Sequence, residues 1–260
     1  MPNWATLFGG NNQLRPKSLI VRFLHGNPHL KSSRKDNALI IVFSGTDGAG
    51  KSTQISLLTE FLESKGIRTK YLWARGGYTP LLTAIKGAAK RLLNKNSVLE
   101  DSNYAAKRKG MISRPFVARV WLIAAMLDMV LLYAIYLRLL NWIGRTVICD
   151  RYVADTRIDF CRNFPMQFST RMWLWRLLVA VSPRPDLHFL LYVPVDVSLA
   201  RSLAKNEPFP DSPETLEYRL HEYLNAADFD HPDILKIDCQ SPIEEIQAKI
   251  RAGVVGTKPL

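Results

Sequence analysis

The residues with the plainest chemistry are Gly45, Thr46, Asp47, Gly48, Ala49, Gly50, Lys51, Ser52 and Thr53. Their order fits G-x-x-x-x-G-K-[ST], a loop in which glycine lets successive backbone N–H groups turn inward onto phosphate oxygens. The lysine of such a loop bridges the outer phosphates of ATP, and the hydroxyl after it ligates Mg²⁺. That gives Lys51 a catalytic role, Ser52 a metal-binding role and the whole loop a nucleotide-binding role. A second stretch, Thr146-Val147-Ile148-Cys149-Asp150-Arg151, is an apolar run ending in an acid and a guanidinium. An acid at such a strand end holds Mg²⁺, directly or through water. Arg151 stands where a transferred phosphate would lie, and its planar fork grips phosphate oxygens two at a time. The plainer alternative for Asp150 is a cap on the next helix.

These residues need a strand before the loop and a helix after it. Ala38 to Ser44 is a short β-rich apolar run, read as a buried strand. Ile55, Leu57, Leu58, Phe61 and Leu62 recur at helical spacing, and Lys65-Gly66 closes that helix. The positive end of its dipole points at the loop. Thr69 to Ala74 reads as a second strand, ending in Arg75-Gly76-Gly77. Ligands of open α/β sheets sit at the carboxyl ends of strands, so Arg75 is a candidate anion contact, with a simple loop as the alternative. Asp155 and Asp159 lie four apart and share a face if 153–160 is helical. They suit substrate hydroxyls or a cation, and equally capping or surface pairing. Further strands run over 187–193 and 233–238, with helices over 195–203 and 242–251. The alternation predicts a parallel sheet covered on both faces. Residues 204–213 form a polar, proline-broken loop that reads as a closing lid. Ser212, Glu214 and Thr215 then open a helix carrying Arg219 and Tyr223.

The chain of 260 residues carries a net charge of +12 and a pI of about 9.7. That balance suits nucleotides, nucleic acid or an acidic membrane alike; beside a phosphate loop the expected ligand is a nucleotide, and nucleic acid is not expected. Three cysteines without a C-x-x-C spacing predict neither a disulfide framework nor a zinc site, and a cytoplasmic setting follows as the default. Residues 1–36 read as a basic extension lying on the domain or on an anionic partner, and 37–256 as the domain itself. Within it, Val120 to Leu137 is almost wholly apolar apart from Asp128. The length invites a membrane-spanning reading. Topology opposes it, because the phosphate loop before this segment and the Asp150 strand after it must meet in one sheet. Such a helix is buried in a core or a subunit interface. Trp121, Leu122, Ala125, Leu132, Ala134, Tyr136 and Leu137 lie on more than one helical face. A homodimer through helix 120–140 is therefore expected, with peripheral docking on a membrane through the basic flanks Arg114, Arg119, Arg138 and Arg145 as the alternative.

Taken together, residues 37–252 resemble the thymidylate kinase family. The resemblance rests on Asp47-Gly48-Ala49-Gly50-Lys51-Ser52-Thr53, on Asp150-Arg151-Tyr152, on Pro185-Asp186-Leu187 before a strand, and on the spacing of Asp211, Glu214, Arg219 and Tyr223. It implies an α/β P-loop kinase fold with a five-stranded parallel sheet flanked by helices. It also implies transfer of the ATP γ-phosphoryl, with Mg²⁺, to a small phosphate-bearing acceptor such as a nucleoside monophosphate, and a homodimer formed through long helices. By the same resemblance Asp47 meets an acceptor hydroxyl, Arg151 clamps the acceptor phosphate, and Tyr152 stands on the acceptor side. With Ala49 in the loop rather than arginine, the lid arginine comes from the segment after 200, where Arg201 stands. The chain departs from the family on the base side. Asp128-Met129 replaces an acid followed by arginine. Asp155-Thr156 and Asp159-Phe160 stand where small hydroxyls and Tyr-Gln are usual, and the Arg-Glu-Pro turn becomes Arg75-Gly76-Gly77. The phosphate side is kept and the base side rewritten. This implies a poor fit to thymidylate, with a sugar or lipid-linked anion as an alternative acceptor, or an ATP-binding switch with little transfer.

Overall fold

The computed structural model describes residues 38–74, 115–205 and 211–257. The basic extension 1–36, Arg75 and its glycine turn, the Lys/Arg-rich stretch 81–110 and the middle of the lid lie outside the described residues.

The first strand, β1 (Ile40–Gly45), is buried along its whole length. Ile40 and Val42 point into one packed layer, and Leu39, Ile41 and Phe43 into the other. A strand covered on both faces needs apolar residues at every position, hence the unbroken run. After it come α1 (Lys51–Ser64), β2 (Thr69–Trp73) and a long helix. That helix runs as α2 (Pro115–Leu131), a π-helical turn (Leu132–Leu137) and α3 (Arg138–Trp142). The remaining order is β3 (Thr146–Asp150), α4 (Val153–Asn163), α5 (Trp173–Val181), β4 (Leu187–Tyr192), α6 (Val195–Ala204), α7 (Pro213–Asn225), β5 (Ile234–Asp238) and α8 (Ile243–Thr257).

All five strands are parallel, in the order β2-β3-β1-β4-β5. The expected five-stranded parallel α/β fold is thus what the chain adopts. The order reverses at β1, and the crevice at such a reversal is where ligands bind. Register sets its floor: Phe43 of β1 and Trp73 of β2 both lie opposite Asp150 of β3. The loop after Gly45 therefore opens beside the carboxyl end of β3.

Gly45 is required where β1 meets β4. Its φ is +137°, and a Cβ there would lie 1.7 Å from the carbonyl oxygen of Leu191. Backbone cannot yield as a side-chain tip can. Gly45→Ala is expected to lower the unfolding free energy by about 2–3 kcal/mol, read as a shifted urea midpoint; an unchanged midpoint would refute this close approach.

The long helix does not cross between compartments, since β2 before it and β3 after it pair directly in one sheet. One face, with Leu122, Met126, Met129, Tyr133 and Leu137, is buried against the sheet and α5. Leu132 also faces inward. The opposite face is not covered among the described residues: Val120, Ile123, Leu127, Leu131, Ile135 and Leu139 are each more than a third exposed. The core-helix expectation therefore holds for one face only. Steps of four residues would drift by about 40° each around an ideal α-helix. The wider π turn absorbs that drift and keeps Leu131, Ile135 and Leu139 in line.

Candidate functional site: a phosphate loop facing a buried arginine cluster

The loop between β1 and α1 is shaped by Gly48 and Gly50, at φ +77° and +83°. Gly50 caps α1 in the left-handed region, and no side chain caps the helix start. There is no acid in the first turn either. The first N–H groups of α1 are thus left for an anion. Lys51 is buried, and its Nζ donates to the carbonyl oxygens of Gly45 and Thr46 at 3.0 and 2.7 Å. Burial, reinforced by Arg151, pushes its ammonium below the ordinary lysine value, against the pull of Asp47. The α6 helix braces the loop from outside. Ser198 Oγ donates to the Asp47 carbonyl at 2.6 Å, and Arg201 Nη1 to the Gly48 carbonyl at 3.0 Å. Arg201 Nη2 holds the Cys239 carbonyl at 2.9 Å, so in this state both ends of its fork are engaged by backbone.

Asp150 ends β3. Tyr71 Oη donates to its Oδ2 at 3.0 Å, while the buried Oδ1 has no hydrogen-bond partner among the described residues. A carboxylate oxygen left bare in a buried site is costly unless a cation meets it. Together with the Ser52 hydroxyl on the rim of the same pocket, that oxygen fits a divalent ion. The pocket, about 260 Å³, is lined by Asp47, Gly48, Gly50, Lys51, Ser52, Trp73, Asp150, Arg151 and Lys205.

Arg151 is the only non-glycine residue at positive φ, +73°, among those described. Such strain persists only where surrounding contacts over-determine it. Here its N–H donates to the Phe43 carbonyl at 2.8 Å. Its Nη2 reaches Asp47 Oδ1 at 2.6 Å, and its Nη1 reaches Tyr223 Oη at 3.3 Å. Arg219, buried on α7, completes the cluster. Its Nη1 donates to Asp47 Oδ2 at 3.0 Å and to Asp211, and its Nη2 to Asp159 Oδ1 at 2.9 Å. Its Nε has no hydrogen-bond partner among the described residues. Burial would raise Asp47, but Arg151, Lys51 and Arg219 together hold its carboxyl well below the usual range. It stays ionised at any ordinary pH.

The thymidylate kinase family model matches residues 43–250. A probable thymidylate kinase of Pyrococcus horikoshii is 29% identical over 224 residues, covering 82% of this chain and 94% of that protein. The thymidylate kinase of Symbiobacterium thermophilum is 26% identical, with 85% and 95% covered. That of Legionella pneumophila is 24% identical, with 83% and 93% covered. The chain belongs to the thymidylate kinase family. It is thus an enzyme, a P-loop phosphotransferase of the nucleoside-monophosphate-kinase type.

Within that family frame, the structure brings Asp47, Lys51, Ser52, Asp150 and Arg151 around one pocket and sets Asp159 beside Arg219. Tyr152 and Asp155 are turned elsewhere. The Tyr152 phenol donates to the Pro183 carbonyl at 2.6 Å and packs on Tyr133, with ring centroids 4.7 Å apart. Asp155 is buried with both oxygens engaged: Oδ1 by Tyr223 Oη at 2.8 Å, Oδ2 by Ser44 Oγ at 2.6 Å and the Tyr152 N–H at 2.8 Å. Burial pushes its carboxyl up despite Arg151 nearby. Both are frameworks for the strained Arg151 turn rather than walls of the pocket. Ser44 Oγ also lies 2.8 Å from His188 Nε2, which borders a separate cavity of about 380 Å³ behind the site. Sequence reasoning left Arg219, Tyr223 and Ser198 outside the site. The signal was present in part: Arg219 and Tyr223 sit at i and i+4 on α7, and Ser198 and Arg201 at i and i+3 on α6, so each pair shares a helix face.

Proposed function

We propose that the chain transfers the ATP γ-phosphoryl, with Mg²⁺, to a phosphate-bearing acceptor of nucleoside-monophosphate type for which thymidylate is a poor substitute. One observation carries the reading. Asp47 Oδ1 lies 3.7 Å from the Lys51 ammonium and 2.6 Å from Arg151. One carboxylate oxygen thus joins the donor-side lysine to the acceptor-side arginine. Lys51 is the group that follows the transferring phosphoryl, exchanging its loop carbonyls for phosphate oxygens. Arg151 orients the acceptor phosphate, whose oxygen is already anionic, so no general base is required. Both Asp47 oxygens are held by arginines in this state, which suits positioning and not proton abstraction. Ser52 and Asp150 would hold the Mg²⁺, which when bound would neutralise the negative charge of the phosphates. Arg201 and Lys205 stand at the lid end, at the close of α6.

The acceptor reading rests on what surrounds the cluster. Met129 is fully buried in the core, and Asp155 is engaged by framework donors. A site built to hydrogen-bond a base discriminates steeply, and loses that power when the partners go. Steady-state kinetics with thymidylate should give kcat/KM below about 10⁴ M⁻¹s⁻¹, the lower end of ordinary enzymes. Labelled ATP offered with a panel of nucleoside monophosphates should reveal a better acceptor. Efficient thymidylate turnover would restore the plain family function. Transfer to none of the panel would favour a sugar or lipid-linked anion, and ATP binding without transfer to any acceptor would favour the switch.

A dimer of the family type would cover the exposed helix face with a second copy.

A further inference from the structure

We infer that His188 is a positioning residue for Arg151, holding its guanidinium through a buried chain of hydrogen bonds that passes by way of Ser44, Asp155 and Tyr223. This role rests on the acceptor-side reading of Arg151 and reaches beyond it, to a residue of β4 outside the phosphate pocket.

The direction of every bond in the chain follows from its arginine end. A guanidinium can only donate, so Tyr223 Oη accepts from Arg151 Nη1 at 3.3 Å. The phenol proton then goes to Asp155 Oδ1 at 2.8 Å. Oδ2 of the same carboxylate accepts from the Tyr152 N–H at 2.8 Å and from the Ser44 hydroxyl at 2.6 Å. With its proton given to Asp155, Ser44 Oγ accepts from His188 Nε2, 2.8 Å away. His188 therefore carries its proton on Nε2. Asp155 receives from both sides and fits the chain as a carboxylate. Burial pushes its carboxyl up, and Arg151 with the Ser44, Tyr223 and Tyr152 donors opposes this. Burial also holds the His188 imidazole down at about 4, so at neutral pH it is uncharged and its tautomer decides which nitrogen donates.

Packing fixes the chain along its length. Ser44 of β1 lies opposite Leu190 of β4, two residues on from His188, so both side chains stand on one face of the sheet. Asp155 enters from α4, Tyr223 from α7, and Arg151 follows β3. Phe229 meets both ends: its ring lies edge-on to His188, with centroids 5.8 Å apart, and to Tyr223 at 5.0 Å. Ser44, Asp155 and Tyr223 are buried and His188 is half-buried. In such a site hydrogen bonds polarise one another, so a donor lost at one end weakens the rest. The effect falls on Arg151, whose backbone is already strained. Asp47 holds its Nη2 on the pocket side, where an acceptor phosphate would compete for it. Nη1 stays on Tyr223, so the chain fixes the plane of the fork. His188 is the last donor of that chain, and among the described residues no other group donates to Ser44 Oγ.

The test joins acceptor kinetics on the full chain to nitrogen NMR of labelled histidine. His188→Leu should lower kcat/KM for the best acceptor of the panel about ten-fold, the worth of one buried hydrogen bond, with KM for ATP unchanged. His188→Gln, whose amide N–H can reach Ser44, should restore most of the loss, which packing alone would not do. Tyr223→Phe cuts the chain next to Arg151 and should cost at least as much. Adding His188→Leu to it should cost little more, since residues of one network do not act independently. In the spectrum His188 should be the Nε2–H tautomer at neutral pH, and Arg151→Lys should shift its Nε2 resonance from four hydrogen bonds away. If His188→Leu does not fold, the tautomer in the parent and its response to Arg151→Lys decide alone. An Nδ1–H tautomer would overturn the inference. So would additive losses, or equal losses from His188→Leu and His188→Gln. Arg151→Lys with unchanged acceptor kinetics would instead sink the acceptor-side reading of Arg151, and the positioning role with it, even with the tautomer as expected.

Discussion

Lys51→Ala should reduce phosphotransfer by a hundred-fold or more while ATP-independent properties of the fold survive. The ammonium is buried at the loop, held 3.0 and 2.7 Å from two backbone carbonyls, and nothing else among the described residues can replace it there. In the proposed reaction it would meet the charge spreading over the transferring phosphoryl, and one such contact is typically worth about 3–4 kcal/mol in the transition state. The fold should tolerate the loss, because burying an ammonium already opposes folding and the loop keeps its glycine geometry. The check is kcat with saturating ATP and the best acceptor of the panel, beside a circular-dichroism melt. Turnover near that of the parent would remove the loop from the chemistry.

Arg151→Lys should be nearly as damaging despite conserving charge. The guanidinium reaches Asp47 and Tyr223 at once, 2.6 and 3.3 Å away, from a backbone held at φ +73°. A lysine keeps the charge, and the strained backbone stays the same, but it has no fork to span the two partners. The expected loss is about a hundred-fold or more in kcat/KM for the acceptor, with KM for ATP little changed, because the loop and Lys51 are untouched. Losing a charged hydrogen bond of this kind should destabilise by about 1.5–3 kcal/mol. A rise confined to the KM for ATP would place Arg151 on the donor side and sink its proposed role.

The two substitutions test different kinds of knowledge. Lys51 is legible in the linear sequence because the loop is local. Nine consecutive residues between a buried strand and a helix set their own backbone shape, so pattern and neighbours suffice. Asp150 and Arg151 were legible for a related reason, since an apolar run ending in an acid is itself a strand end. The sheet then followed from the alternation of strands and helices. Asp155 and Tyr152 show where such reading stops. Both lie beside the motif in the chain, yet each turns away, because a helix starting at Val153 carries one side chain under the turn and the other into the core.

Sequence alone determined the parallel five-stranded sheet, the phosphate loop, the acid at the end of β3 and the family. Each of these is encoded within one segment or in the order of segments. Only the tertiary structure decided that Arg219 and Tyr223, about seventy residues beyond Arg151, close on Asp47 and Arg151. Only it decided which face of the long helix packs against the sheet and α5. Contacts of that range depend on how α7 packs over α4 and on a π turn that holds one stripe in line. An apolar residue has the same hydropathy on either face of a helix; what it packs against is settled when the elements assemble.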